Sequence, residues 1–553
     1  MASTSSGFEA TESETLFGSY EEVLRARSSG QGEADDAQHT ALRFSGRLFD
    51  ITEHWDSHDE PGEVIPTGQP PKTAARSMHR YSEHSLLVRR IQLPQQEQRM
   101  QLEIQSSSLQ HVFREITGRL HSINVMADPI IIKAPFHELY YFRAELEERR
   151  TKVANADLRQ ELKLFKDFEN EHLSRTLNMK QIAHHQKHGT ITYEYLWSIF
   201  KPHEFILLRS QITNNLTLLS CGMMQKFWIN ADTGEWWIQI RCMGYNGQQF
   251  GPVETNFKFQ PFPGVKNIRD LPAYPLSYCP KIADIKAALL ERGKGFIRLC
   301  QGDEQTDVPG KLSGCLRDYD GPVWVQRENW KKNGMEFFDD PHDTARISGR
   351  VLVDPAGFMN EKPIFREKVI TSEELGRIPA MRISEFSEDE LMMFPAMIAG
   401  YSLTEKHVGY FDVSSFKDVT WEREEAQHLH DTSPITRLLL NITSGFRYTS
   451  SAFGYSIQRK GQGLVLLFHE RPGTGKTLTA AEYLNRPLYR VNAADMGSGI
   501  YQVEENLQSA FRRISRWNAI LLLDEADALM SSRGDNTEDN TLVSGAFYFC
   551  CDS

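Results

Sequence analysis

The chain has 553 residues with a net charge of −12, 40% hydrophobic and 25% charged residues, the balance of a globular protein of several domains. That charge argues against general nucleic-acid binding, and seven irregularly spaced cysteines make no disulfide framework. No apolar run approaches the roughly 18 residues of a spanning helix, and no basic-then-apolar leader opens the chain, so a cytoplasmic or nuclear protein with no membrane segment is expected.

Residues 1–90 read as a disordered acidic, Ser-rich tail, since the first forty hold eight acidic and two basic residues with few large apolar groups. A helical region is expected over 95–190. Val112, Phe113 and Ile116 lead to a stop at Gly118, and Leu158, Leu162, Phe165 and Phe168 recur at helical steps towards a cap at Gly189. His184 and His188 lie four residues apart there. With no further ligand nearby they read as complements to the negative helix end rather than as a metal pair.

Residues 191–370 read as an α+β domain of unknown function containing a β-meander. Phe227–Ile229 and Trp236–Ile240 flank a turn at Asp232-Thr-Gly234, Asn246-Gly247 predicts a type I′ turn, and Val253–Phe259 alternates as a third strand. Aromatic residues on such a sheet can stack on nucleobases, but residues 223–260 hold only three Lys/Arg, so these read as core. Leu271–Leu276 (LPAYPL) predicts a rigid connection into a helix from Ile282 to Arg292, with further strands near Val323–Val325 and Arg350–Val353. Over 371–462 a linker and the start of the next module are expected, with a capping box at Ser387-Glu-Asp-Glu390 and a helix start at Ser433-Pro434.

The chemistry is concentrated in 463–553. The apolar run Leu464–Phe468 predicts a buried strand that breaks into Pro472-Gly473-Thr474-Gly475-Lys476-Thr477-Leu478 and then a helix. Strand, glycine loop, Lys-Thr and helix are the parts of a phosphate-binding loop. Glycines let backbone N–H groups converge on an anion, the helix start adds positive potential, Lys476 reaches the β/γ-phosphates and the Thr477 hydroxyl ligates Mg²⁺. Downstream, Leu488–Val491 predicts a strand, while Val503, Leu507, Ala510, Phe511, Ile514 and Trp517 mark an amphipathic helix. Ala519–Leu523 is a wholly apolar strand ending in Asp524-Glu525-Ala-Asp527. Asp524 suits the Mg²⁺ shell beside Thr477, and Glu525 suits a general base towards water. ATP and Mg²⁺ are the cofactors expected.

The runs PGTGKTLTA (472–480) and LLLDEADAL (521–529), with the helix between them, resemble the AAA+ ATPases. More narrowly, GRVLVD (349–354), LPAYPL, ITYEYLWSIFKP (191–202) and GYFDVSSFKDVTW (409–421) look like a family of large AAA-type ATPases of filamentous fungi, a likeness running from about 100 to 544. The resemblance implies an α/β P-loop NTPase core behind an α+β N-terminal region. It also implies a homo-oligomeric ring that uses ATP hydrolysis to remodel a protein client not identified by the sequence. By the same analogy residues near Asp418-Val419 would line an adenine pocket.

The sequence departs from the family pattern in three places. Glu470 stands where the loop motif has Gly, the helix after Lys476 is about one turn short, and the chain stops 29 residues after Asp524. The ending from Gly545 has no family likeness, so a C-terminally truncated core is expected that turns over weakly or not at all alone. The alternative is a non-catalytic or dominant-negative nucleotide-binding protein. A DEAD-type helicase is disfavoured, because residues after 527 leave no room for a second RecA-like domain.

Overall fold

The computed structural model describes residues 48–55, 61–66, 84–92, 98–174, 177–213, 216–230, 233–301, 315–325, 344–361, 382–406, 408–421, 486–492, 500–517 and 519–524. The acidic stretch before residue 48, the Ser433-Pro434 helix start, Glu470, the glycine loop and the chain after Asp524 lie outside the described residues.

Among the described residues, three five-stranded sheets and one two-stranded pair precede the C-terminal unit. The first has the order β2-β1-β3-β4-β5, built from Leu48–Trp55 (β1), Pro61–Pro66 (β2), Leu86–Gln92 (β3), Arg99–Ile104 (β4) and Ile130–Lys133 (β5). The tail expected to residue 90 therefore gives way to strands from Leu48 onward. Composition misleads there because β1 mixes polar and apolar residues and finds its parallel partner, β3, more than thirty positions later. Cross-strand ion pairs join the sheet: Arg89 to Glu103 at 2.6 Å and Arg90 to Asp50 at 2.7 Å.

Helices cover this sheet. Ser107–Thr117 (α1) starts at Ser106, whose hydroxyl accepts from the Leu109 N–H, and stops at Gly118, whose φ of 62° favours glycine. His137–Lys152 (α2) and Ala156–Phe168 (α3) follow, the latter capped by Asn155 and prolonged by a π-helical turn, Glu169–Leu173. Met179–Lys187 (α4) ends before Gly189, as its sequence predicts. A ring nitrogen of His188 donates to the His184 carbonyl at 2.8 Å, a second donor for a carbonyl at the helix end that also accepts the His188 backbone N–H at 3.3 Å. The region is thus helical with two strands of the first sheet woven through it.

The meander is a second sheet, β10-β9-β8-β7-β12, from Phe205–Thr213 (β7), Leu216–Ile229 (β8), Trp236–Tyr245 (β9), Phe250–Phe259 (β10) and Ala273–Pro275 (β12). Thr190–Thr192 (β6) and Val265–Asn267 (β11) form a separate pair. Two local expectations change. The β9–β10 loop is four residues long, with only Gly247 at positive φ, and the Asn246 carboxamide accepts from the Gln248 and Gln249 N–H groups; a type I′ turn needs two positive φ values. LPAYPL is not a free connection but carries an edge strand, where Pro275 is tolerated. The aromatic residues divide between faces. Phe227, Trp236, Phe257 and Phe259 pack into the core, whereas Trp228 and Trp237 stack on each other at 6.3 Å with the Lys226 ammonium 5.4 Å from the Trp228 ring. One apolar cluster runs through both sheets, from Leu86 and Leu102 past Phe113 and Phe168 to Ile238 and Ile240.

Ile282–Gln301 (α5) runs nine residues past the expected stop. Gly293 does not end it but lets the backbone of Glu388–Met392 (α7), the capped helix at Ser387, approach closely. The third sheet closes on itself. Cys315–Val325 (β13) pairs with Thr344–Val353 (β14), which pairs with Met397–Ser402 (β15); β15 pairs with Val408–Asp412 (β16), which returns to β13. Phe416–Lys417 (β17) adds to β13, and Pro355–Glu361 (α6) follows β14. Tyr319, Val323, Ile347, Val351 and Phe411 form the core of this ring. Residues 397–417 therefore belong to the same sheet as 315–353, so the domain boundary expected at 370 is crossed by strand pairing.

Candidate nucleotide-binding site

Leu488–Asn492 (β18) and Ile520–Asp524 (β19) are parallel neighbours, registered from Leu488 opposite Ile520 to Asn492 opposite Asp524. Parallel strands need a crossover, and Ile500–Trp517 (α8) lies between them in sequence. Leu507, Ala510 and Trp517 are buried and cluster with Tyr489, Val491, Leu521 and Leu523, the contact that the spacing of α8 predicts. The strand begins one residue later than expected because the Ala519 N–H still bonds to the Ile514 carbonyl. Both strands end at one edge, so Asn492 and Asp524 stand side by side at the carboxyl ends, where open α/β sheets bind ligands.

Of the predicted site residues, the structure thus fixes the backbone position of Asp524. Pro472, Gly473, Thr474, Gly475, Lys476, Thr477, Leu478 and Glu525 lie outside the described residues. Asp418, expected by analogy near the base, lies 3.5 Å from Arg317 just beyond β17.

One feature was missed from the sequence. Asp354, the residue that closes GRVLVD at the end of β14, is 6% exposed and is joined to the far end of α8. Its Oδ2 accepts from Arg516 Nε at 2.5 Å and from Trp517 Nε1 at 2.6 Å, while Oδ1 accepts the Gly357 N–H at 2.8 Å and so caps α6. A Cβ at Gly357 would stand 2.1 Å from the Arg516 guanidinium and 2.2 Å from Asp354 Oδ2, so a side chain there would have to displace this ion pair. Around this junction the rings of Tyr401, Tyr489 and Trp517 lie 5.4–5.7 Å apart. Arg513 donates to the Tyr489 hydroxyl at 3.0 Å with its guanidinium 5.3 Å from the Tyr401 ring. An acid at the end of an apolar strand was the available clue, but its partners lie more than 160 residues away.

Elsewhere the described residues offer weaker sites. A cleft between α2 and α3, lined by Tyr140, Arg143, Glu147 and Lys166, has room for about 20 Å³, one water. Burial pushes the Cys221 thiol up to about 12, which removes its nucleophilic form at neutral pH. Among the described residues no cluster of His, Cys, Asp and Glu has metal-binding geometry, and no helix is long and apolar enough to cross a membrane.

Comparison with known proteins adds four findings. Residues 181–280, which span the meander, match a domain of unknown function, DUF7025. An uncharacterized AAA family ATPase of Sinorhizobium fredii is 30% identical over 129 residues, covering 22% of this chain and 38% of that relative's length. No solved structure matches. Residues 466–552, which contain Pro472–Leu478, Asp524 and Glu525 but not Asp418, match the model of the ATPase family associated with various cellular activities (AAA). By that match the C-terminal part of the chain is similar to the AAA ATPases, a likeness that implies a P-loop NTPase fold there.

Proposed function

We propose that this chain binds ATP through Pro472–Leu478 and hydrolyses it as a subunit of an AAA+ assembly. The observation that carries the reading is the parallel β18–α8–β19 unit. It ends a strand at Asp524, 48 residues after Lys476, inside the family match. A carboxylate at the end of a parallel strand, with a threonine hydroxyl and a lysine in the preceding loop, is a donor set that fits a magnesium nucleotide.

In this reading Pro472 opens the turn, and the backbone of Gly473, Thr474 and Gly475 cradles the phosphates. Lys476 neutralises the β/γ oxygens, and Leu478 continues the helix whose N-terminus faces them. Thr477 and Asp524 would hold Mg²⁺, which when bound spreads the phosphate charge. Glu525 takes the proton of the attacking water. Glu470 sets a like charge near the phosphates and weakens binding. Assembly into a homo-oligomeric ring that remodels a protein client rests on family membership alone. A cytoplasmic or nuclear location stays part of this reading, from the irregular spacing of the seven cysteines in the sequence.

Binding of a fluorescent ATP analogue and phosphate release, both on the full chain, test the reading. Lys476→Ala should abolish binding, and Glu525→Gln should retain binding while lowering turnover by about 10²-fold or more. Turnover unchanged in Glu525→Gln would refute the base, and binding unchanged in Lys476→Ala would refute the loop.

A further inference from the structure

We infer that Asp354, a residue more than 100 positions before the nucleotide segment, positions the acidic end of β19, so that the closed third sheet is a working part of the ATP site. The inference rests on the ATPase reading for its kinetic consequence and on geometry alone for its mechanical one. Asp354 is held on a stiff support, since β14 is paired along one side to β13 and along the other to β15. From that support one carboxylate oxygen grips two consecutive residues of the last turn of α8, Arg516 and Trp517. Two bonds from one acceptor fix both the position of the helix end and its rotation. The charged guanidinium partner makes one of them stronger than a neutral bond.

The junction beyond has little slack. Ala519 is tied back to Ile514, and Ile520 donates to the Pro487 carbonyl at the start of the β18 ladder. The chain then runs straight through five registered residues to Asp524, a span of about 13 Å at strand rise. A displacement of the α8 end is therefore delivered to the strand end rather than absorbed in a loop. Asp354 touches no predicted nucleotide-site residue among its described partners, so it is a positioning residue and not a catalytic one. Its geometry predicts an effect on the step that uses Asp524 and Glu525 more than on affinity, which the glycine loop supplies.

The test compares the full chain with Asp354→Ala, Asp354→Asn and Trp517→Phe. Backbone hydrogen exchange at 514–524 should quicken in Asp354→Ala and in Trp517→Phe. Asp354→Asn, which keeps the neutral acceptor, should lie between parent and Ala. In ATP turnover Asp354→Ala should lower kcat by about ten- to a hundredfold with KM held, the scale of an ångström-sized misplacement, and Asn should restore part of it. Unchanged exchange at 514–524 overturns the inference whatever the kinetics. Quickened exchange with unchanged kcat overturns the link to the site, as does a kcat loss matched by a rise in KM and a general loss of fold. If the parent binds no ATP analogue, the ATPase reading fails and the exchange arm still decides the role of Asp354. Should Asp354→Ala not fold, the near-isosteric Asp354→Asn, which weakens the bonds to Arg516 and Trp517 without opening a cavity, carries both readouts.

Discussion

Gly293 of α5 lies against the main chain of Leu391 in α7 so closely that a methyl group on it would stand 2.0 Å from the Leu391 carbonyl oxygen. Alanine at this helical position gains about 1 kcal/mol of propensity. The obstructing atom is backbone, however, and Leu391 and Phe394 are already buried beside Phe296. Overpacking of this kind costs about 1–3 kcal/mol and cannot be relieved by a rotamer change. Gly293→Ala should therefore lower the urea midpoint, whereas a raised midpoint would show that the helices part freely.

Glu470 provides a gain-of-affinity prediction. Replacing it by glycine removes one like charge near the expected phosphate position, worth about 1 kcal/mol in a solvated setting, so Kd for an ATP analogue should fall about fivefold. Because the term is electrostatic, the difference between variant and parent should shrink as salt rises from 0.05 to about 0.5 M. An unaltered Kd at low salt would mean that this carboxylate points away from the nucleotide.

His137 makes stability depend on pH. It stacks on Trp197 at 3.9 Å, and burial lowers its pKa from 6.5 to about 4. Between those values the unfolded chain binds the proton and the native chain does not, so stability rises with pH across that window. Acidification from about 7 to 4 should cost on the order of 3 kcal/mol through this residue. His137→Phe keeps a stacked ring and removes the titration. The stability difference between parent and variant, followed by denaturant unfolding at several pH values, should change between 6.5 and 4 and be flat above 7.

Tyr319 ties together the ring of strands in the third sheet. Its hydroxyl donates to the Pro322 carbonyl and accepts the Asp412 N–H at 3.1 Å, and burial pushes its own proton release far above the usual range. Tyr319→Phe leaves both partners without this bond while preserving the ring contacts to Phe411 and Phe416. A loss of about 1–3 kcal/mol is expected in thermal or urea unfolding. No measurable loss would mean that water replaces the hydroxyl.

The sequence was most legible where partners are close in the chain. The helix from Leu507 to Trp517 and the apolar strand after it were visible because burial there follows helical steps and then a continuous run. The Ser387 box was visible because both of its reciprocal bonds fall within three residues. It was least legible where a distant partner decides. The strand at Leu48 depends on Leu86, α5 continues through Gly293 because Leu391 needs the room, and Pro275 sits in a strand because Ile206 offers an outer edge. Asp354 belongs to the same class, as neither GRVLVD nor the end of α8 announces the other.

The ring formed by β13, β14, β15 and β16 has a mechanical meaning. Asp354 hangs from the last residue of a strand whose two flanks are both laddered, so a pull along β14 would load the bonds to β13 and β15 in shear, all at once. A strand on an open border can be peeled one bond at a time, and this one cannot. Force applied at α8 would therefore meet an anchor that either holds as a whole or gives way as a whole.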